Sequence, residues 1–212
     1  MPRRAKQVVV IWKCFYPNKQ GFKLERQPIK QRARELSREG NYLLEVPPQL
    51  SKLTDLRYLN LSCNTLGDSI ERVSVLRNLL ELNLSFTYID GLPPSFANLQ
   101  KLQVLHIDFN LQIYEVPAVL EQMTTLVNVS MHKCGLNLHA EHEPHLERLA
   151  KLTRLVHLDL SENTSLETVP AEFFALKHLR HLNLYNNRPA CIESAKSILK
   201  PEQISLVNLR GL

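Results

Sequence analysis

Large apolar residues, mostly leucine, recur at regular spacings along most of this 212-residue chain, with polar residues between them. Residues 53–66 show the pattern most fully, with leucine at places 1, 4, 7, 9 and 14 and asparagine at place 12. Later copies carry a marker residue at the place of that asparagine: Asn64, Thr87, Asn110, Cys134, Asn163 and Asn187. Successive markers are 23, 23, 24, 29 and 24 residues apart. A repeat of this length predicts a solenoid of stacked units.

Each repeat contains a short alternation of apolar and polar residues that predicts a β-strand. In residues 59–61, for example, both leucines face one side of the strand and Asn60 faces the other. So short a strand is not stable alone, so we expect the strands to pair in parallel and their leucines to form one continuous core. The pattern predicts about seven strands, centred near Leu59, Leu82, Leu105, Val129, Leu158, Leu182 and residues 204–206.

The recurring asparagine has a separate role in this interpretation. Its amide carries donors and an acceptor, which can satisfy backbone groups where the chain turns from the strand into the core. Thr87 and Cys134 replace it in two repeats and offer fewer hydrogen bonds. We therefore expect the row of asparagines to be weaker at those two places.

The two ends of the repeat region require caps, because a solenoid must cover its terminal apolar faces. Residues 28–40 predict an amphipathic capping helix, since Pro28 suits the first helical position and Gly40 is a stop signal. Residues 188–212 are the expected C-terminal cap, with a helix over 190–199. The predicted repeat domain therefore covers residues 28–212, and residues 1–27 precede it as an extension.

The segments between strands carry a second motif, in which Leu-Pro or Val-Pro is followed six residues later by leucine or methionine. It occurs at 46–53, 92–99, 116–123 and 169–176. Together with the repeats over 41–187, this motif resembles the intracellular, Ras-suppressor-like class of leucine-rich repeat proteins. The resemblance implies an α/β fold, a curved solenoid with parallel β-strands on the concave face and short helices or turns outside. It also implies protein binding, with no particular partner.

The charge is unevenly distributed along the chain. Residues 1–40 contain 11 lysines and arginines against 3 acids, whereas residues 41–212 contain 15 against 18. We expect the extension to contact RNA or an acidic protein surface. The candidate contact residues are Arg3, Arg4, Lys6, Lys13, Lys19, Lys23 and Arg26. Within the extension, residues 8–15 favour a strand, either added to the open edge of the first repeat or ordered by a partner.

The sequence favours an intracellular protein with no membrane partner. It contains no run of about 18 apolar residues. The apolar run 8–12 ends at Lys13 and is too short for a secretory signal. The four cysteines are scattered without a C-x-x-C motif, which is typical of a reducing compartment. The cytoplasm is the predicted location, with the mitochondrion and the nucleus as alternatives.

Polar and aromatic residues between the leucines predict a partner-binding strip on the concave face. The alternative is that such residues are simply the commonest ones in repeats of this type. The strip is rich in histidine and carboxylate, so its binding would depend on hydrogen bonds and on pH. The candidate residues are Tyr58, Glu81, His106, Asp108, His132, His157, Asp159, His181 and Tyr185.

The 29-residue step contains a histidine-rich insertion, with His139, His142 and His145 as candidate zinc ligands. Their spacing matches no established ligand geometry, so a solvated loop is the preferred interpretation and no metal is predicted. Gly-rich phosphate loops and nucleophile motifs are missing from the sequence, so no catalytic residue and no cofactor are predicted.

The predicted function is that of a non-enzymatic adaptor or scaffold, which binds a partner protein through the concave face. The alternative is a structural subunit of a large ribonucleoprotein, such as a ribosome, or of a cytoskeletal assembly, anchored by the basic extension.

Overall fold

A computed structural model describes residues 9–11, 35–37, 43–138, 145–198 and 207–208. Nine short strands form one parallel sheet whose order follows the sequence. Consecutive strands come from consecutive repeats, so the described chain is a solenoid as predicted. The strands are β1 Val9–Ile11, β2 Glu35–Ser37, β3 Tyr58–Asn60, β4 Glu81–Asn83, β5 Val104–His106, β6 Asn128–Ser130, β7 His157–Asp159, β8 His181–Asn183 and β9 Val207–Asn208.

The register of the sheet places the recurring apolar residue of each strand beside its counterpart. Leu59 is opposite Leu82, and Leu82 is opposite Leu105, in direct parallel register. Leu82 and Leu105 are fully buried. The periodic leucines therefore form the continuous core that their spacing predicts.

Short 3-10 helices return the chain on the other side of the core. The proline of each Leu-Pro or Val-Pro motif directly precedes one of these helices, and in two of them a second proline takes the first helical position, which its fixed φ suits. Each helix ends at an apolar residue whose N–H donates three residues back, as Leu53 does to the Leu50 carbonyl at 2.9 Å. The helices are Pro48–Lys52, Gly67–Val75, Pro94–Asn98, Ala118–Gln122, Leu146–Lys151 and Ala171–Ala175, followed by the α-helix α1 Pro189–Ile198.

The asparagine markers are buried and bridge neighbouring repeats. The Asn110 amide donates to the carbonyls of Leu84 and Ile107, both at 2.9 Å, and its oxygen accepts from Thr87 N at 2.9 Å. Thr87 Oγ1 donates to the Leu84 carbonyl, and Cys134 Sγ donates to the Ile107 carbonyl at 3.4 Å. Neither Thr87 nor Cys134 supplies the two N–H donors of an asparagine amide. The prediction of fewer hydrogen bonds at these two places is therefore confirmed.

The residue before each marker has a left-handed backbone conformation. In all six repeats its φ lies between +50° and +57°. None of the six is glycine, although this conformation costs other residues roughly 1–2 kcal/mol. This backbone geometry recurs in every repeat and turns the chain from the end of the strand into the core. The sequence pattern did not predict it. These residues are Cys63, Phe86, Phe109, Lys133, Glu162 and Asn186.

The predicted N-terminal capping helix over 28–40 is wrong for residues 35–37, which form β2. Leu36 pairs with Leu59, one regular repeat step of 23 residues away. Pairing satisfies the otherwise open edge of β3, and an open parallel edge strongly favours a further strand. The rest of 28–40 lies outside the described residues.

Two further outcomes concern the ends of the chain. β1 pairs with β2, so the described part of the extension is an edge strand of the sheet, one of the two alternatives for residues 8–15. The domain boundary between residues 27 and 28 stays a prediction. At the C-terminus α1 matches the expected helix, but the last strand pairs Val207 with Leu182, a step of 25 residues. The step is longer because an α-helix advances only about 1.5 Å per residue, so α1 uses more residues to span the connection. Residues 204–206 lie outside the described residues.

Candidate partner-binding face

The predicted strip lies along β3 to β8, on the face of the sheet away from the leucine core. Parallel register aligns its first column, so Tyr58 is beside Glu81 and His157 is beside His181. The last two side chains are exposed, whereas Tyr58 and Glu81 are half-buried. The structure therefore brings these predicted residues onto one surface that a partner can reach.

His157 and His181 form the most regular contact on this face. Their rings are stacked with centroids 4.4 Å apart and an angle of 6° between their planes. Partial burial lowers the pKa of His157, and the nearby charge of His181 lowers it further. The two stacked rings therefore offer a flat surface to a partner.

Asp108 holds together three neighbouring repeats. Its Oδ1 accepts hydrogen bonds from the Ser130 hydroxyl and from His132 N, the latter at 2.9 Å. Its Oδ2 accepts from the Ser85 hydroxyl at 3.2 Å and lies 4.0 Å from His106 Nδ1. Both carboxylate oxygens are thus used within the protein, and Asp108 supports the face.

Asp159 has a similar role two strands further along, where it joins its own repeat to the next one. It accepts hydrogen bonds from Ser161 N at 2.9 Å, from the Ser161 hydroxyl, and from Asn183 Nδ2 at 2.8 Å. His132 Nδ1 lies 2.8 Å from the Ser161 hydroxyl oxygen and extends this network towards β6. The polar groups are therefore linked into one rigid layer.

The layer forms the floor of an open depression of about 610 Å³. Tyr185 stands at its side and is 44% exposed. Lys133 and Glu162 form an ion pair of 2.9 Å near the depression. The residues that line it are Asp108, Ser130, His132, Asp159, Ser161, Glu162, Asn183 and Tyr185.

Ser161, His132 and Asp159 lie in contact, but they do not have the geometry of a catalytic triad. The Ser161 side chain is buried, and its hydroxyl donates to Asp159 rather than to a histidine. A triad requires the histidine to accept the serine proton and the carboxylate to orient the histidine. The arrangement can bind polar groups, but it does not activate this serine.

Sequence reasoning missed an aromatic row at the C-terminal ends of the strands. Phe86 stacks on Phe109 with centroids 4.0 Å apart, and Phe109 meets the edge of His132 at 4.8 Å. Phe86 and the nearby Tyr88 are 44% and 67% exposed. The sequence signal that could have revealed this row is that Phe86 and Phe109 directly precede the marker residues of successive repeats.

The remaining predicted residues fall partly outside the described chain. His145 is described and lies at the C-terminal end of the insertion. Its Nδ1 is 3.1 Å from Glu147 Oε1, and its Nε2 is 3.5 Å from Glu115 Oε2. His139 and His142 lie outside the described residues. So do the seven basic candidates of the extension. Within the described ranges no three metal-ligating side chains come together.

The leucine-rich repeat region family matches residues 45–155, just over half of the chain. This chain belongs to the leucine-rich repeat family, whose solenoids commonly act as interaction modules. No helix within the described residues has the length and apolar character of a membrane span.

Similar proteins include Receptor like protein 27 of Arabidopsis thaliana, 38% identical over 61 residues, which are 29% of this chain and 8% of that protein. A leucine-rich repeat protein of Leptospira interrogans superposes with a TM-score of 0.61 at 26% identity, over 85% of this chain and 42% of that one. Toll, in its complex with Spatzle from Drosophila, gives 0.61 at 21% identity, over 74% of this chain and 20% of that one. This chain thus spans less than half the length of each.

Proposed function

We propose that this protein is a non-enzymatic adaptor or scaffold that holds a partner protein against its concave face. The observation that carries the proposal is the division of that face into a rigid hydrogen-bonded floor and accessible rings above it. Asp108 and Asp159 belong to the floor, since their oxygens are occupied. His157, His181 and Tyr185 are exposed and are the proposed contacts.

The proposed contacts suit a protein surface for physical reasons. Histidine and tyrosine rings have few rotatable bonds, so they lose little conformational entropy when a partner covers them. Here the stacking of His157 on His181 restricts two of the rings before binding. A pre-organised surface of this kind gains affinity because the ordering cost is already met.

The other predicted strip residues divide in the same way. Tyr58, Glu81 and His106 line the half of the face nearer the N-terminus and are proposed as further contacts. His132 is proposed as a support with one accessible edge, because its Nδ1 is engaged with Ser161. Toll, whose similar fold is solved with Spatzle, illustrates a solenoid bound to a partner, and at 21% identity the likeness is one of fold alone.

The test adds charge to this face and to the opposite face. We expect His157→Glu with His181→Glu to abolish capture of the partner when the tagged full chain is purified from its native source. The matched control is Gln122→Glu with Ala171→Glu, which adds two acids at exposed positions on the outer helices. Circular dichroism melts would establish that both variants fold. Equal capture by both variants, or loss from the control alone, would contradict the proposal.

Location inside the cell, in the cytoplasm first, is part of the same proposal. Its support is that the described cysteines Cys63, Cys134 and Cys191 are all free, as expected in a reducing compartment.

The alternative proposal is a structural subunit of a large ribonucleoprotein or cytoskeletal assembly. Its support is β1, which joins the basic extension to the end of the sheet. Neutralising the seven basic residues of the extension would then weaken incorporation into the assembly while the melting temperature stays unchanged. Unchanged incorporation would rule this role out.

A further inference from the structure

The two edges of the sheet carry opposite charge. The N-terminal ends of parallel strands lie along one edge, so the residues just before the strands line that edge. The eight residues before each of β3 to β8 together contain eight lysines and arginines and two acids. We name this row the basic edge. It consists of Lys52, Arg57, Arg77, Lys101, Lys151, Arg154, Lys177 and Arg180.

The opposite edge has the reverse balance. The eight residues after each of β3 to β8 contain five acids and two bases, Lys133 and Arg188. Those two bases form ion pairs with Glu162 and Glu167. Charge is therefore sorted by edge within the repeat region, although residues 41–212 as a whole carry a small excess of acids.

The cations of the basic edge are accessible. All eight are exposed, and none forms an ion pair with a described residue. The same segments contain two acids, Asp55 and Glu121. Glu121 is already paired, since its Oε1 lies 3.6 Å from Arg148 Nε. Lys101 Nζ instead donates to Asn78 Oδ1 at 2.7 Å, a neutral partner in the preceding repeat. Asp55 is thus the main opposing charge along the row.

The cations stand one, three, four or six residues before a strand, and the repeats bring these segments side by side. Backbone hydrogen bonds join the positions directly before successive strands, such as Leu80 N to the Arg57 carbonyl at 2.7 Å and Arg180 N to the Val156 carbonyl at 2.9 Å. Neighbouring strands are about 4.8 Å apart, so the row over six strands is roughly 24 Å long. The segment before β6, which contains Glu121 and no lysine or arginine, divides it into two groups of four.

We infer that the basic edge binds the sugar-phosphate backbone of a nucleic acid duplex. A duplex presents a dense row of phosphates, and neutralising them releases counterions, a gain that requires exposed cations and no pocket. Exposed pairs between a lysine or arginine and a carboxylate contribute only about 0–1 kcal/mol each, so an acidic peptide would gain less.

The scarcity of exposed aromatic rings along the described part of this edge favours a duplex over a single strand. Single-strand binding relies on aromatic side chains on which the bases stack. Among the side chains described along this edge, Phe96 and Phe173 are buried in the core, and His178 is the one exposed aromatic ring. All eight cations lie between residues 52 and 180, so none belongs to the extension, and the row borders the concave face where Arg57 and Arg180 directly precede Tyr58 and His181.

The test compares two triple variants of the full chain. The first is Lys151→Gln, Arg154→Gln and Lys177→Gln on the basic edge. The control is Lys133→Gln, Arg188→Gln and Lys196→Gln, which removes the same charges from cations that are already paired. Fluorescence anisotropy would measure binding to a mixed-sequence RNA duplex of about 20 base pairs, long enough to cover the edge, between 50 and 200 mM KCl, the range over which phosphate contacts weaken most visibly.

The plot of the logarithm of the binding constant against the logarithm of the salt concentration has a negative slope. The basic-edge variant should reduce the magnitude of that slope by about 2–3, because each lost phosphate contact reduces it by about 0.9. The control variant should change the slope by less than about 1. Equal changes in the two variants would overturn the inference, as would failure of the wild-type chain to bind the duplex. Binding of polyglutamate with the same dependence on the basic edge, and tighter than the duplex, would also overturn it in favour of an acidic protein partner.

Discussion

Asn110 is the marker residue whose removal most directly tests the energetic role of the asparagine row. Its side chain is fully buried. Its amide oxygen accepts hydrogen bonds from Thr87 N at 2.9 Å and from Ile89 N at 3.3 Å. Asn110→Ala would leave both N–H groups buried and without this acceptor.

The expected cost follows from those two donors. Each buried donor left unsatisfied costs about 1–3 kcal/mol, so Asn110→Ala should lower the free energy of unfolding by about 2–6 kcal/mol. The carbonyl of Leu84 is less affected, because the Thr87 hydroxyl also donates to it. Thr87→Val removes that hydroxyl while Asn110 still serves the same carbonyl. This second variant should therefore cost only about 0.5–1.5 kcal/mol.

Thermal unfolding followed by circular dichroism would measure both variants against the wild-type chain. For a chain of this size 1 kcal/mol lowers the midpoint by about 2–4 °C, so Thr87→Val should lower it by a few degrees and Asn110→Ala by about 4–24 °C. Equal midpoints for the two variants would refute the reasoning. A midpoint of Asn110→Ala within about 1 °C of wild type would refute it as well.

Three further predictions concern packing and pH. Leu105→Ala should cost about 2–5 kcal/mol in urea unfolding, because Leu105 is fully buried in the core. Gly135→Ala should lower the melting temperature, since its Cβ would lie 2.2 Å from a backbone oxygen of the preceding repeat; Gly91→Ala, with nothing within 4 Å, is the control and should have no such effect. Because the pKa of His157 is lowered in the folded protein, the unfolded chain binds more protons just below pH 6.5, so this contribution to stability is present above that pH and is lost as pH falls through the folded pKa. The urea midpoint should therefore fall on acidification, and His157→Gln should reduce that fall; an unchanged pH profile would contradict the assignment.

The leucine spacing was sufficient to predict β3 to β8, because burial of a periodic apolar face determines which residues point inward. It failed at β2, where Arg38 stands at the place that Leu61 occupies in the next repeat. Pro28 and Gly40 then favoured a helix. The signal that was overlooked is the 23-residue step from Leu36 to Leu59.

The sequence placed the concave residues on one face but did not separate supports from contacts. Aspartate and histidine serve both roles, and the role of Asp108 depends on which hydroxyls of neighbouring repeats reach its oxygens. Those contacts join residues more than 20 positions apart and depend on rotamers. Similarly, the charge balance of residues 41–212 concealed the basic edge, because acids elsewhere in these residues outweigh its charge in the sum.

Site-specific photocrosslinking tests the central claim most directly, because it reports where the partner lies. A benzophenone amino acid would replace Glu81 or His181 on the concave face, or Ala118 or Ala171 on the exposed surface of the outer helices. The account predicts that both concave positions crosslink to the same partner and that both outer positions do not. Crosslinks to that partner from the outer positions, with none from Glu81 or His181, would contradict it.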